Sequence, residues 1–275
     1  EWARKLEDEG VHVVYGVRGL KTHAKVCLIV RREPEGIRRY VHLGTGNYNV
    51  VTSRIYTDVS YFTCDSTISR DVSDLFNSLT GYSRKNIYSK LLVAPTTLRQ
   101  QILDRIERET CRHRQYGDGY IAFKMNALVD ARCIQALYLA SQAGVKIDLQ
   151  VRGICCLKPG LPGISETITV TSVVGRFLEH ARIYYFRNGG HDDMLMGSAD
   201  LMPRNLDHRV EVLFPVEDPR WREVILNDIL GVGLRDNVQA RRLLPDGTYE
   251  RVHPASGEAA FNSQQWLLEH WKPRL

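Results

Sequence analysis

Two histidines open the same short pattern in this sequence. His23-Ala24-Lys25 is followed by Gly44-Thr45-Gly46-Asn47, Arg54 and Asp58, and His180-Ala181-Arg182 by Gly197-Ser198-Ala199-Asp200, Arg204 and Glu211. The carboxylate keeps one spacing from the glycine, Gly44 to Asp58 and Gly197 to Glu211. These residue types suit phosphoryl transfer. A neutral imidazole can attack phosphorus through one ring nitrogen while a carboxylate on the other fixes the tautomer and stabilises the developing imidazolium. Lys25 and Arg182 can neutralise the oxygens of the group in flight, and Asp58 and Glu211 are the candidate orienting carboxylates. A lone His-Ala-Lys is more often a satisfied structural histidine beside a solvated cation. Its repetition with the whole set weighs against that reading.

The flanking sequence supplies elements to position both sets. Residues 11–19 read as a strand that ends in Val17-Arg18-Gly19, after a helical run closed by Gly10; residues 145–153 read as its twin, ending in Val151-Arg152-Gly153 after a helix over 131–143 closed by Gly144. Helix, glycine stop and β-branched strand is the crossover pattern of an α/β sheet, and two copies in one order read as a duplicated unit. Alternation along a strand would put His23 with Lys25, and His180 with Arg182, on one face, directed into a cleft shared by the copies. The second copy has an extra opening strand over 120–125, with Lys124 and Asn126 near its end as candidate phosphate or nucleotide contacts; the first copy's equivalent would lie upstream of Glu1.

The boundary is expected near Tyr88, after the polar stretch 82–86. This gives two α/β domains, 1–88, incomplete at its N-terminus, and 89–275. Within the second, a strand at 91–94, helices over 97–111 and 221–230, a hairpin around Pro245-Asp246-Gly247 and a terminal helix carrying Trp266 and Leu267 are expected.

Composition narrows the class without naming the reaction. The 275 residues are 43% hydrophobic and 25% charged with a net charge of +5, enough for folded domains and mild enough to leave the partner open. No apolar run approaches the roughly 20 residues of a spanning helix and no secretory pattern opens the chain, so a cytoplasmic location is expected. Cys27, Cys64, Cys111, Cys133, Cys155 and Cys156 show no Cys-x-x-Cys pairing and are expected as free, mostly buried thiols. The chain starts at Glu1 in mid-helical pattern and reads as an excised fragment.

The segments Gly19-Leu20-Lys21-Thr22-His23-Ala24-Lys25, 40–48, Arg54-Ile55-Tyr56-Thr57-Asp58 and 197–207 resemble polyphosphate kinases of the large, histidine-phosphorylated type, and the resemblance covers essentially the whole chain. It implies two phospholipase D-like domains, with His23 as the phosphorylated nucleophile and Tyr56, Arg152 and His180 as ATP contacts. It implies ATP/ADP and inorganic polyphosphate as substrates and no nucleic acid. It further implies a homo-oligomeric full-length protein with peripheral membrane association, and magnesium and adenine contacts upstream of Glu1. Arg18 repeats Arg152 by position and matches no family function.

Two other classes compete. A phospholipase D-like phosphodiesterase or nuclease would carry Asp where this chain has Val30 and Arg187, and the second copy has Arg182 in place of Lys. A non-enzymatic polyanion-binding module would rest on the basic balance and on the pairs Arg31-Arg32, Arg38-Arg39 and Arg241-Arg242, which on a soluble domain are ordinarily solvated.

Overall fold

The computed structural model describes residues 2–82 and 87–271. The first half contains α1 (Trp2–Asp8), β1 (Lys21–Thr22), β2 (Val26–Glu33), β3 (Gly36–Gly44), β4 (Tyr56–Thr57), β5 (Ser60–Thr63) and α2 (Ser66–Leu79). The second contains β6 (Leu92–Ala94), α3 (Leu98–Tyr116), β7 (Tyr120–Met125), α4 (Ala131–Gln142), β8 (Lys146–Val151), β9 (Ile168–Val173), β10 (Leu178–Glu179), β11 (Ile183–Phe186), β12 (Asp193–Gly197), α5 (Pro203–His208) and β13 (Arg209–Pro215). After these come α6 (Pro219–Val224), a π-helical stretch Ile225–Gly231, α7 (Val232–Leu234), the hairpin β14 (Ala240–Leu243) and β15 (Tyr249–Arg251), and α8 (Ser263–His270).

The expected α/β class is observed. A ten-stranded sheet runs β1-β13-β12-β11-β7-β8-β9-β14-β15 with β6 also on β13, and β2-β3-β5 form a second sheet. β7, β8 and β9 are parallel and nearly continuously buried, because both faces are covered. One face packs Phe123, Leu149 and Tyr184 against α3 and α4. The other packs Ala122, Ile183, Met196 and Val212 against Val41 and Leu43 of β3 and Ile68 and Val72 of α2. Asp71 of α2, wholly buried, ties the halves together by accepting from the backbone N–H groups of Ser89, Lys90 and Leu91.

Several expectations need correction. No strand forms over 11–19, where only an isolated bridge joins Val17 to Leu20. Its twin β8 is held between β7 and β9, whereas among the described residues nothing pairs with 11–16, and strand backbone without a partner keeps its hydrogen bonds with water. Arg18 therefore lies in a turn and does not match Arg152. Helix α3 continues past residue 111 to Tyr116 and ends where Gly117 turns left-handed at φ 71°. The thiols are free, but only Cys133 is buried and Cys27, Cys64, Cys111 and Cys156 are exposed. Part of the polar stretch 82–86 lies outside the described residues. Among the described residues no helix is long and apolar enough to cross a membrane.

Candidate active site

The histidines do not sit inside strands as alternation suggested. In both copies the ladder lapses at the His-x-basic triplet: β1 ends at Thr22 and β2 begins at Val26, and β10 ends at Glu179 and β11 begins at Ile183. The short strand before each lapse pairs with the opposite copy. β1 lies parallel to β13, Lys21 opposite Arg209 and Thr22 opposite Val210, so one further step brings His23 level with Glu211. β10 lies parallel to β4, Leu178 opposite Tyr56 and Glu179 opposite Thr57, so one further step brings His180 level with Asp58.

The carboxylates are therefore exchanged between copies. His23 Nδ1 lies 2.8 Å from Glu211 Oε2, and His180 Nδ1 lies 2.8 Å from Asp58 Oδ1. A carboxylate oxygen facing an imidazole accepts, which places the proton on Nδ1 in both rings.

The glycine turns account for the repeated spacing. Thr45 N donates to Val59 O at 3.1 Å and Val59 N to Thr45 Oγ1 at 3.0 Å; in the second copy Ser198 N donates to Val212 O at 3.0 Å and Val212 N to Ser198 Oγ at 3.1 Å. Each turn thus clamps the residue that follows the carboxylate. A Cβ on Gly46 would lie 2.3 Å from Asp58 Oδ2, and one on Gly197 2.0 Å from Val212 O. Neither position has room for a side chain.

The two cations differ in their partners. Arg182 is buried and donates from Nη2 to Asp200 Oδ2 at 3.0 Å, and from Nη1 to Thr45 O at 3.2 Å and His180 O at 3.0 Å, with Nη1 lying over the His180 ring, 3.1 Å from Nε2 and 3.4 Å from Nδ1. Lys25 is equally buried at 4% exposure and donates to the carbonyl of His23, but among the described residues it forms no ion pair. Asn47 stands in the sequence where the second copy has Asp200, but it is exposed, and Lys25 has no carboxylate at ion-pair distance among the described residues. Burial pushes the Lys25 ammonium down to about 8, with Arg182 and Arg209 adding to the effect and Glu211 and Asp58 opposing it.

His180 is also perturbed. Burial, helped by Arg182 and Arg152, lowers its pKa against the opposing pull of Asp58, which favours the uncharged ring, and Arg182 Nη1 lies over that ring. Tyr56 lies against it, ring centroids 4.8 Å apart. Arg152 donates from Nε to Asn126 Oδ1 at 2.8 Å and to Glu179 O at 2.9 Å.

His23, Lys25, Tyr56, Asp58, Arg152, His180, Arg182 and Glu211 therefore meet in one region, while Lys124 and Asn126 are engaged with neighbouring protein groups. Lys124 Nζ donates to Glu179 Oε2 at 2.6 Å. Asn126 is buried, with its backbone N–H donating to Asp200 Oδ1 at 2.7 Å. Both hold the scaffold under the site. Sequence reasoning missed the part of Asp200, which neutralises Arg182, and of Asn205, whose Nδ2 donates to Glu211 Oε1 at 2.6 Å. The Asp200 signal was available as the one charged difference between the two glycine turns.

These residues do not build a magnesium site. Among the described residues there is no group of three or more His, Cys, Asp or Glu placed to hold a metal ion. The three site carboxylates are already engaged, Glu211 by His23 and Asn205, Asp58 by His180 and Thr45, and Asp200 by Arg182 and Asn126.

Residues 1–85 match the family model for polyphosphate kinase C-terminal domain 1, and residues 91–264 match that for C-terminal domain 2. The chain is 58% identical over 268 residues to a polyphosphate kinase of Prosthecochloris aestuarii, covering 98% of this chain and 37% of that protein. It is also 58% identical over 268 residues to polyphosphate kinase 1 of Chlorobaculum tepidum, covering 98% and 38%. The crystal structure of polyphosphate kinase from Porphyromonas gingivalis superposes with a TM-score of 0.91 at 40% identity, covering 98% of this chain and 41% of that one. The chain thus spans 37% and 38% of the length of these two relatives. By the two domain matches, the chain belongs to the polyphosphate kinase family, of which it carries C-terminal domains 1 and 2.

Proposed function

We propose that this chain carries the phosphoryl-transfer centre of a polyphosphate kinase, ATP + polyphosphate(n) = ADP + polyphosphate(n+1), working reversibly through a phosphate on His23. The observation that carries this reading is the inequality of the two imidazoles. Both hold a proton on Nδ1 against a carboxylate, but the Arg182 guanidinium lies against the His180 ring, Nη1 3.1 Å from Nε2 and 3.4 Å from Nδ1, whereas among the described residues Nε2 of His23 has no hydrogen-bond partner. The His23 side chain is also the more open, 19% exposed against 9%.

His23 Nε2 attacks the terminal phosphorus of ATP, the bond from that phosphorus to the bridging oxygen breaks, and ADP leaves with the bond's electron pair. The Nδ1 proton stays with the ring, whose positive charge Glu211 balances. A terminal oxygen of polyphosphate then attacks the same phosphorus, the N–P bond breaks, and its electrons return to Nε2. Lys25 neutralises oxygens of the group in flight. Tyr56, Arg152 and His180 contact ATP, and burial, with Arg182 beside the ring, favours neutral His180. Magnesium, which supplies further neutralisation in such transfers, would be bound by residues upstream of Glu1.

The same reading divides the catalytic portion into domains 1–88 and 89–275. It makes the full-length enzyme a cytoplasmic homo-oligomer with peripheral membrane contact. The chain alone would fold but not synthesise polyphosphate.

In the full-length protein, γ-labelled ATP with magnesium should leave an acid-labile, base-stable label on His23. ADP should remove it as ATP, and His23→Ala should prevent it. Label on a serine or aspartate, or phosphodiester cleavage without exchange into ADP, would instead favour the phosphodiesterase class.

A further inference from the structure

Behind Glu211 stands a residue to which neither the repeat nor the kinase reading gives a role. Asn205, on α5, is 1% exposed, and Glu211 is wholly buried. The two oxygens of Glu211 are divided: Oε2 faces His23 Nδ1 at 2.8 Å, and Oε1 accepts from Asn205 Nδ2 at 2.6 Å, while Arg209 stands off at 3.8 Å. Only the NH2 end of an amide can face a carboxylate, so the orientation of Asn205 is dictated. Its Oδ1 is left buried without a hydrogen-bond partner. A buried unpaired carbonyl opposes folding, and an apolar side chain of the same shape would avoid it. What the amide contributes in return is the bond to Glu211. The other copy has a hydroxyl on its carboxylate, Thr45 Oγ1 donating at 2.6 Å to Asp58 Oδ1, the same oxygen that lies 2.8 Å from His180 Nδ1.

We propose that Asn205 is a positioning residue for His23. It holds the Glu211 carboxylate in the rotation that receives the Nδ1 proton, and so keeps His23 in the tautomer whose Nε2 lone pair is free. Without the donor, the carboxylate turns and part of His23 passes to the Nε2–H tautomer, which cannot attack phosphorus. The catalytic consequence rests on the kinase reading; the tautomer does not.

The test compares wild type with Asn205→Leu, which keeps the shape and removes the donor, with Asn205→Ala, and with Thr45→Ala. Nitrogen-15 histidine NMR at about pH 8.5, well above the ordinary imidazole titration, reads the tautomers. Wild-type His23 should be almost wholly Nδ1–H. Both Asn205 variants should show a clear Nε2–H population at His23 with His180 unchanged, and Thr45→Ala should give the converse. In the full-length protein, labelling of His23 should slow on the order of 10- to 100-fold in both Asn205 variants with KM for ATP unchanged. A wild-type His23 tautomer in Asn205→Leu would overturn the proposal and reduce Asn205 to packing. Should that variant fail to fold, Asn205→Ala decides by the same reading. If wild type never labels on His23 while the tautomers behave as stated, it is the kinase reading that fails.

Discussion

Replacing Lys25 by methionine should make the protein more stable and less active, and the gain in stability should depend on pH in a way only a buried lysine explains. Lys25 is buried without a carboxylate partner, and its pKa falls from the ordinary 10.5 to about 8. At about 1.4 kcal/mol for each pH unit, that depression amounts to on the order of 3 kcal/mol. The sign follows from proton release. Below about pH 8 the lysine is charged in both folded and unfolded chains, and the full cost of burying the charge is present. Between about 8 and 10.5 the folded chain has lost the proton and unfolding takes it up, so stability rises with pH. Above 10.5 the lysine is neutral in both and the cost is gone.

Methionine keeps the length of the stem and removes the charge, at the expense of the bond to the His23 carbonyl. Lys25→Met should therefore unfold about 1–3 kcal/mol later than wild type at pH 7, a difference that shrinks steadily towards pH 10. Urea unfolding of both proteins at pH 7, 8.5 and 10 measures it, and the subtraction removes every other titrating group. The same substitution in the full-length enzyme should slow phosphoryl transfer on the order of 100-fold. A stability difference that does not change with pH, or a variant less stable than wild type at pH 7, would refute the account of Lys25 as an uncompensated buried charge.

Three further outcomes are expected. Gly46→Ala places a methyl 2.3 Å from Asp58 Oδ2; it should push Asp58 off His180 and lower transfer at least about tenfold, measurable as loss of the His180 Nδ1–H NMR signal, whose persistence would contradict the geometry. Arg182→Met leaves Asp200 buried and unpaired and should cost about 3–5 kcal/mol in denaturant unfolding, much of it recovered by Arg182→Met with Asp200→Asn; equal stability of the single and double variants would show that the pair is not coupled. The His180 ring, whose pKa burial lowers, should titrate below the ordinary histidine value in an NMR pH series, and a midpoint above that value would mean that Asp58 outweighs burial and Arg182.

Much of the site was legible in the sequence because the chain writes its chemistry twice. The spacing of Gly44 to Asp58 and Gly197 to Glu211 points to the orienting carboxylates, since a turn clamped by a backbone and a hydroxyl hydrogen bond admits little variation in length. Strand β7 and helix α4 were equally readable, the one from its apolar run, the other from Gly144 at its end. The failures have local causes. Residues 11–16 carry a strand pattern, but a strand exists only when another strand takes its hydrogen bonds. Lys124 reads as a candidate phosphate or nucleotide contact, and nothing in the order of residues announces that Glu179 will stand beside it.

The sequence by itself determined the duplicated α/β plan, the two histidines with their cations, and the two carboxylates at their fixed distance from each glycine turn. Only the tertiary structure decided which carboxylate serves which histidine. β1 crosses to β13 and β10 crosses to β4, so His23 takes Glu211 and His180 takes Asp58 across separations of 188 and 122 residues. Partnership of that kind is set by the register of parallel strands, which depends on packing between the two halves and leaves no mark in the spacing within either. The inequality of the two histidines has the same origin, because Arg182 reaches both Asp200 and the His180 ring only once the turn, the strand and the facing copy have been folded together.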